Sequence, residues 1–158
     1  MERKKLAIGI VLVVVLILMV IFVQFFVLNS LKKKPDIPKA ALSEGGEIMP
    51  GHVDWMVNEL GAYQLGSDAE MEIVVEGKTF AVKVINDRPT ATLGNATDPD
   101  VRIRAGYAEF LQIYNSPDII SEVAKLYSEG NIQVDLIKDY GTLIVKGYKG
   151  IYDNLQTG

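Results

Sequence analysis

Few residues in this chain have the types and spacing that chemistry demands. His52 is the only histidine and lies three residues before the only tryptophan, Trp55. A metal site or a general base needs further ligands or an acid at a workable offset. There is no second His and no Cys, so His52 reads as a surface residue at a helix start. Asp98 and Asp100 flank Pro99, which a turn entering a strand explains. Glu70, Glu72 and Glu76 share one face of a strand and read as solvated. No Gly-rich phosphate loop, nucleophile elbow or paired-carboxylate signature is visible in the sequence. Asn95-Ala-Thr97 matches a glycosylation acceptor in a loop, which matters only outside the cytoplasm. The expectation is a protein that is not an enzyme, with no catalytic residue, metal or cofactor.

The elements around these residues can be read from their periods. His52–Tyr63 has apolar residues at 53, 56, 57 and 60, a helical spacing closed by Gly61. Met71, Ile73 and Val75 alternate with polar neighbours, and Phe80, Val82 and Val84 do so after the turn Glu76-Gly77-Lys78, which predicts a hairpin. A brief strand is expected near Thr90–Leu93 and a clearer one over Asp100–Arg104. Each strand has one apolar and one charged face, which predicts a small antiparallel sheet of about five strands covered on one side.

Tyr107, Phe110, Leu111 and Tyr114 form one helical stripe; Ser116-Pro-Asp118 then restarts a helix bearing Ile119, Ile120, Val123 and Tyr127. Ile132, Val134 and Leu136 make another strand. Tyr140 to Leu155 keeps a helical period for four turns despite Gly141, Gly147 and Gly150, so this marginal helix must dock by its aromatic stripe. A strand through Leu143–Lys146 is the alternative.

The N-terminus follows different rules. Leu6 to Leu28 is apolar on every face for 23 residues, broken only by Gly9 and Gln24. As a helix it would reach roughly 34 Å, enough to cross a bilayer. A signal peptide would be shorter and end in small residues, whereas this run ends in Asn29-Ser-Leu-Lys-Lys-Lys34. The expectation is a single-pass signal-anchor with the lipid bilayer as partner. Basic residues lie on both sides of the run, so charge selects no side for the soluble part. The expected division is 1–31 as basic tip and transmembrane helix, 32–50 as linker, and 51–158 as an α+β domain. Residues 1–34 hold six Lys/Arg and one acid; the remainder holds ten against nineteen, a net −9. That balance disfavours nucleic acid and broad adhesion to anionic headgroups.

The order of elements resembles the sterol-carrier-protein-2 (SCP2-like) family over roughly residues 52–155. The likeness is carried by Pro99-Asp-Val-Arg-Ile-Arg104, Phe110-Leu111, Asn115-Ser-Pro-Asp118 and Glu129-Gly-Asn-Ile-Gln-Val134, with the hairpin at Met71–Ile85 before them. Where members of that family carry Gly–Asp after the last strand, this chain has Ile137-Lys-Asp-Tyr-Gly141. The resemblance implies an α+β fold with an apolar tunnel between helices and sheet that takes lipid or another apolar ligand. Residues on helix faces that must meet the sheet are then the candidate ligand contacts: Phe110, Leu111, Tyr114, Ile120, Val123, Tyr127, Tyr148, Ile151 and Tyr152. Four of them are tyrosines whose hydroxyls could fix a polar ligand end. The competing expectation is a structural or protein-interaction module with the same fold and a filled core.

Overall fold

The computed structural model describes residues 32–157. The expected basic tip and membrane helix, and with them Leu6–Leu28, lie outside the described residues. Among the described residues no helix is long and apolar enough to cross a membrane.

From Lys34 onward the chain forms one α+β unit. Helix α1 (Pro50–Glu59) begins with proline in its first turn, where a missing N–H costs nothing. Two hairpins follow: β1 (Glu70–Val75), β2 (Lys78–Ile85) and β3 (Arg88–Leu93). Both turns are two residues long and left-handed, Glu76-Gly77 and Asn86-Asp87, as tight hairpins between twisted strands require. The chain continues through β4 (Val101–Ala105), α2 (Tyr107–Asn115), α3 (Ile119–Ser128), β5 (Gln133–Leu136), α4 (Tyr140–Val145) and α5 (Tyr148–Thr157). Asp118 caps α3 by accepting from the Ser121 amide at 3.1 Å.

The sheet has five strands in the order β3-β2-β1-β4-β5. It is mixed, not antiparallel as expected, because β4 pairs in parallel with β1, Ile73 opposite Ile103. The chain leaves β3 at one edge and returns on the far side of β1. Alternation in a strand looks the same for either direction of pairing, so the period could not reveal this.

Three further expectations are corrected. Residues 32–50 do not form a free linker, since from Lys34 the segment is bound along the domain. The Pro35 carbonyl accepts from Asn58 Nδ2 at 3.0 Å. Lys39 Nζ lies 4.3 Å over the Trp55 ring and donates to the Tyr114 carbonyl at 2.6 Å. Ile37 and Ile48 are buried. The long C-terminal helix is two helices broken at Gly147, whose φ of +92° favours glycine and where a Cβ would lie 3.4 Å from the Gln64 carbonyl oxygen. Finally, His52 is buried rather than on the surface; its Nδ1 accepts from the Met49 amide at 3.0 Å and secures the start of α1.

Candidate functional site

The inward face of the sheet has two unlike halves. Over β2 and β3, Phe80, Val82 and Val84 are wholly buried beside Val53 and Val57 of α1. Over β1, β4 and β5 the helices leave an apolar cavity of about 100 Å³. Its floor is the alternating set Met71, Ile73, Val75 on β1, Val101, Ile103, Ala105 on β4, and Val134 and Leu136 on β5. Its roof comes from Met56 and Leu60, Phe110 and Ile113, Val123, Ile132, and the α5 residues Tyr148, Ile151 and Tyr152. Leu136 and Tyr152 are both exposed, so the cavity opens between the edge strand β5 and α5. An apolar cavity of roughly 150 Å³ can stay dry and accept a benzene-sized molecule. Space of the size seen here suits the end of a hydrocarbon chain, with the remainder outside.

Five expected ligand contacts, Phe110, Val123, Tyr148, Ile151 and Tyr152, meet around this cavity. Four do not. Leu111 lies in a surface groove with Tyr107 and Asn115, and Ile120 beside Trp55 and Pro117. Tyr127 is exposed. Tyr114 is buried under the N-terminal segment, stacked on Phe110 and edge-on to Trp55, its hydroxyl donating to the Ala40 carbonyl at 2.7 Å. The floor residues were visible as strand faces in the sequence, but nothing in a strand's period distinguishes a filled face from a hollow one.

The expected role of tyrosine hydroxyls also changes. Tyr148 presents its ring to the cavity while its hydroxyl turns into the protein, 3.1 Å from Asp100 Oδ2 and 3.3 Å from the Glu70 carbonyl. Burial, with the Asp100 charge beside it, pushes the Tyr148 phenol far above its ordinary range, so it donates and does not ionise. Asp100 is fully buried, not the turn residue expected. It accepts from the Glu70 amide at 2.9 Å and from Lys146 Nζ at 2.8 Å. Burial lowers the Lys146 pKa, but the hydrogen bond and charge of Asp100, with Asp68 and Asp98, outweigh it and raise the net value. Asp100 therefore ties the starts of β1 and β4 to the junction of α4 and α5.

The opposite sheet face was expected to be solvated. Glu70 and Glu72 are instead buried there. Glu72 pairs with Arg102, and the two carboxylates accept from the Ala96 and Thr97 amides, Thr97 to Glu70 at 2.7 Å. The loop before β4 thus lies over this face, with Asn95 exposed. No group of three or more potential metal ligands occurs among the described residues.

No family model matches the chain, and no curated protein matches it. Among solved structures it is similar to a UbiJ-SCP2 ubiquinone synthesis protein, at 12% identity over 69% of this chain and 92% of the other, TM-score 0.42. It is also similar to Sterol Carrier Protein 2 Like 2 from Aedes aegypti, at 13% identity over 61% and 95%, TM-score 0.37. A third likeness is to the sec-alkylsulfatase Pisa1 from Pseudomonas sp., at 17% identity over 60% of this chain and 15% of that one, TM-score 0.39. With each of these TM-scores below 0.5, the likenesses do not place the chain in a family.

Proposed function

We propose that this protein is a membrane-anchored, non-catalytic binding module for an apolar ligand, a lipid chain foremost. Residues 6–28 would serve as the single-pass anchor, and the cavity between sheet and helices would receive the chain end. The observation that supports this reading is the cavity itself. Its lining is apolar apart from two tyrosine hydroxyls: Tyr152 stands at the exposed rim, and the buried Tyr148 hydroxyl is already bonded to Asp100 and Glu70. Each methylene moved from water into such a site contributes about 0.8 kcal/mol. The absence of an acid, base or thiol among the lining residues favours binding over chemistry. A purely structural module with a filled core would lack this hollow half-sheet.

Native mass spectrometry of the full-length chain, released from membranes by gentle extraction, tests the proposal. A co-purifying apolar mass that departs on activation is the expected result. A chain that is ligand-free across several extraction conditions, and takes up no added fatty acid, counts against it.

A further inference from the structure

The described residues expose ten large apolar side chains, and six of them fall within 136–152: Leu136, Ile137, Tyr140, Ile144, Val145 and Tyr152. Surface apolar residues scattered singly need no explanation, but a cluster does. Leu136 and Tyr152 rim the cavity's opening, and the other four belong to the chain that joins them. A ligand drawn from a membrane must pass this rim.

A second observation concerns where the chain enters the domain. Lys34 Nζ pairs with Glu59 Oε2 at 2.6 Å, and Pro35 is bonded to Asn58, so the chain arrives at the end of α1. The next residue there, Leu60, lines the cavity, and a Cβ placed on Gly61 would lie 4.0 Å from Ile151 of α5. The chain thus enters beside the end of the helix that helps roof the cavity. Because the segment from Lys34 is bound and not slack, only residues 29–33 separate the apolar run from the folded unit. Five residues span at most about 18 Å.

We infer that the surface around Leu136, Tyr140, Ile144, Val145 and Tyr152 inserts shallowly into the lipid bilayer, and that the cavity loads through it. This rests on the anchored, lipid-binding reading above. The contact is apolar. The lysines nearby are each matched by a carboxylate, Lys138 by Asp98, Lys146 by Asp100 and Lys149 by Asp153, so insertion depends on side-chain burial among acyl chains and interfacial tyrosine rather than on lipid charge.

The chain lacks cysteine, which allows a clean test. Val145→Cys and, on the opposite sheet edge, Leu93→Cys are each made in the full-length chain; both positions are well exposed. Each carries an environment-sensitive fluorophore and is reconstituted in phosphatidylcholine vesicles with or without nitroxide-bearing lipid. The expected result is a ~twofold or greater fluorescence loss at position 145, little loss at 93, and no response to added salt. Equal, weak quenching at both positions in protein that floats with the vesicles overturns the inference, leaves the anchor standing, and makes a protein partner the better occupant. Protein that fails to float overturns the anchored reading and this inference together.

Discussion

The two halves of the sheet's inner face are built from the same kind of residue and end differently. Beneath α1, the β2–β3 half carries Phe80, Val82 and Val84 without exposed surface. The β1–β4–β5 half carries Met71, Ile103, Val134 and their neighbours around an open volume of about 100 Å³. The difference lies in what covers them. Helix α1 and the tight hairpins bring a continuous apolar layer onto the first half. The second is roofed by short helices from four separate segments, which meet at their edges and leave a gap. The first half is packed solid, and the second leaves unfilled apolar volume.

That contrast can be broken most severely at its supports. Phe80→Ala in the filled half is expected to cost about 3–5 kcal/mol by urea unfolding. Lys146→Met, which strands the buried Asp100 carboxylate, belongs in the same range of about 3–5 kcal/mol. Tyr148→Phe is milder, at about 1–3 kcal/mol, since Asp100 Oδ2 keeps the Glu70 amide. Tyr148 and Lys146 both have raised folded pKa values, so the unfolded chain gives up these protons first as pH rises. Their contribution is complete below about pH 10 and declines above it. Unfolding curves recorded from pH 8 to 11 are expected to converge for wild type and Tyr148→Phe at the alkaline end.

The smallest effect on stability is the most informative about the hollow half. Ala105→Phe on the cavity floor puts a ring into vacant volume. It is expected to shift stability by less than about 1.5 kcal/mol while eliminating uptake of a fluorescent fatty acid. A large loss of stability would mean the volume is not vacant.

Much of this frame was legible in the sequence. The Glu76-Gly77 turn, the alternation in β4, and the Phe110 stripe gave their elements because period and turn chemistry act locally. The errors have a common physical cause. Asp100 beside Pro99 looks like any turn carboxylate, and its partners Lys146 and Tyr148 lie more than forty residues onward. Glu70 and Glu72 alternate as solvated residues do, and only the returning loop buries them. Residues 34–48 have no period because they form no helix or strand, yet Lys39, packed against Trp55 and Tyr114, helps fix them to the domain. Gly147 in the sequence reads only as a weak point in one helix, but its left-handed backbone separates two. Among the expected ligand contacts, Tyr114 and Tyr127 sat on sound helical stripes that face the N-terminal segment and solvent. Stripe position alone does not say which neighbour a helix meets.

The difference between the halves is most directly tested with a fatty acid carrying a photoreactive diazirine at its chain end. It is added to the full-length protein in lipid nanodiscs, irradiated, and its adducts are mapped by mass spectrometry. Adducts on Phe110, Ile113, Val123 or Tyr148, with none on Phe80, Val82 or Val84, are the expected result. Adducts confined to residues 6–28 or spread over the outer surface would contradict a chain held inside the hollow half.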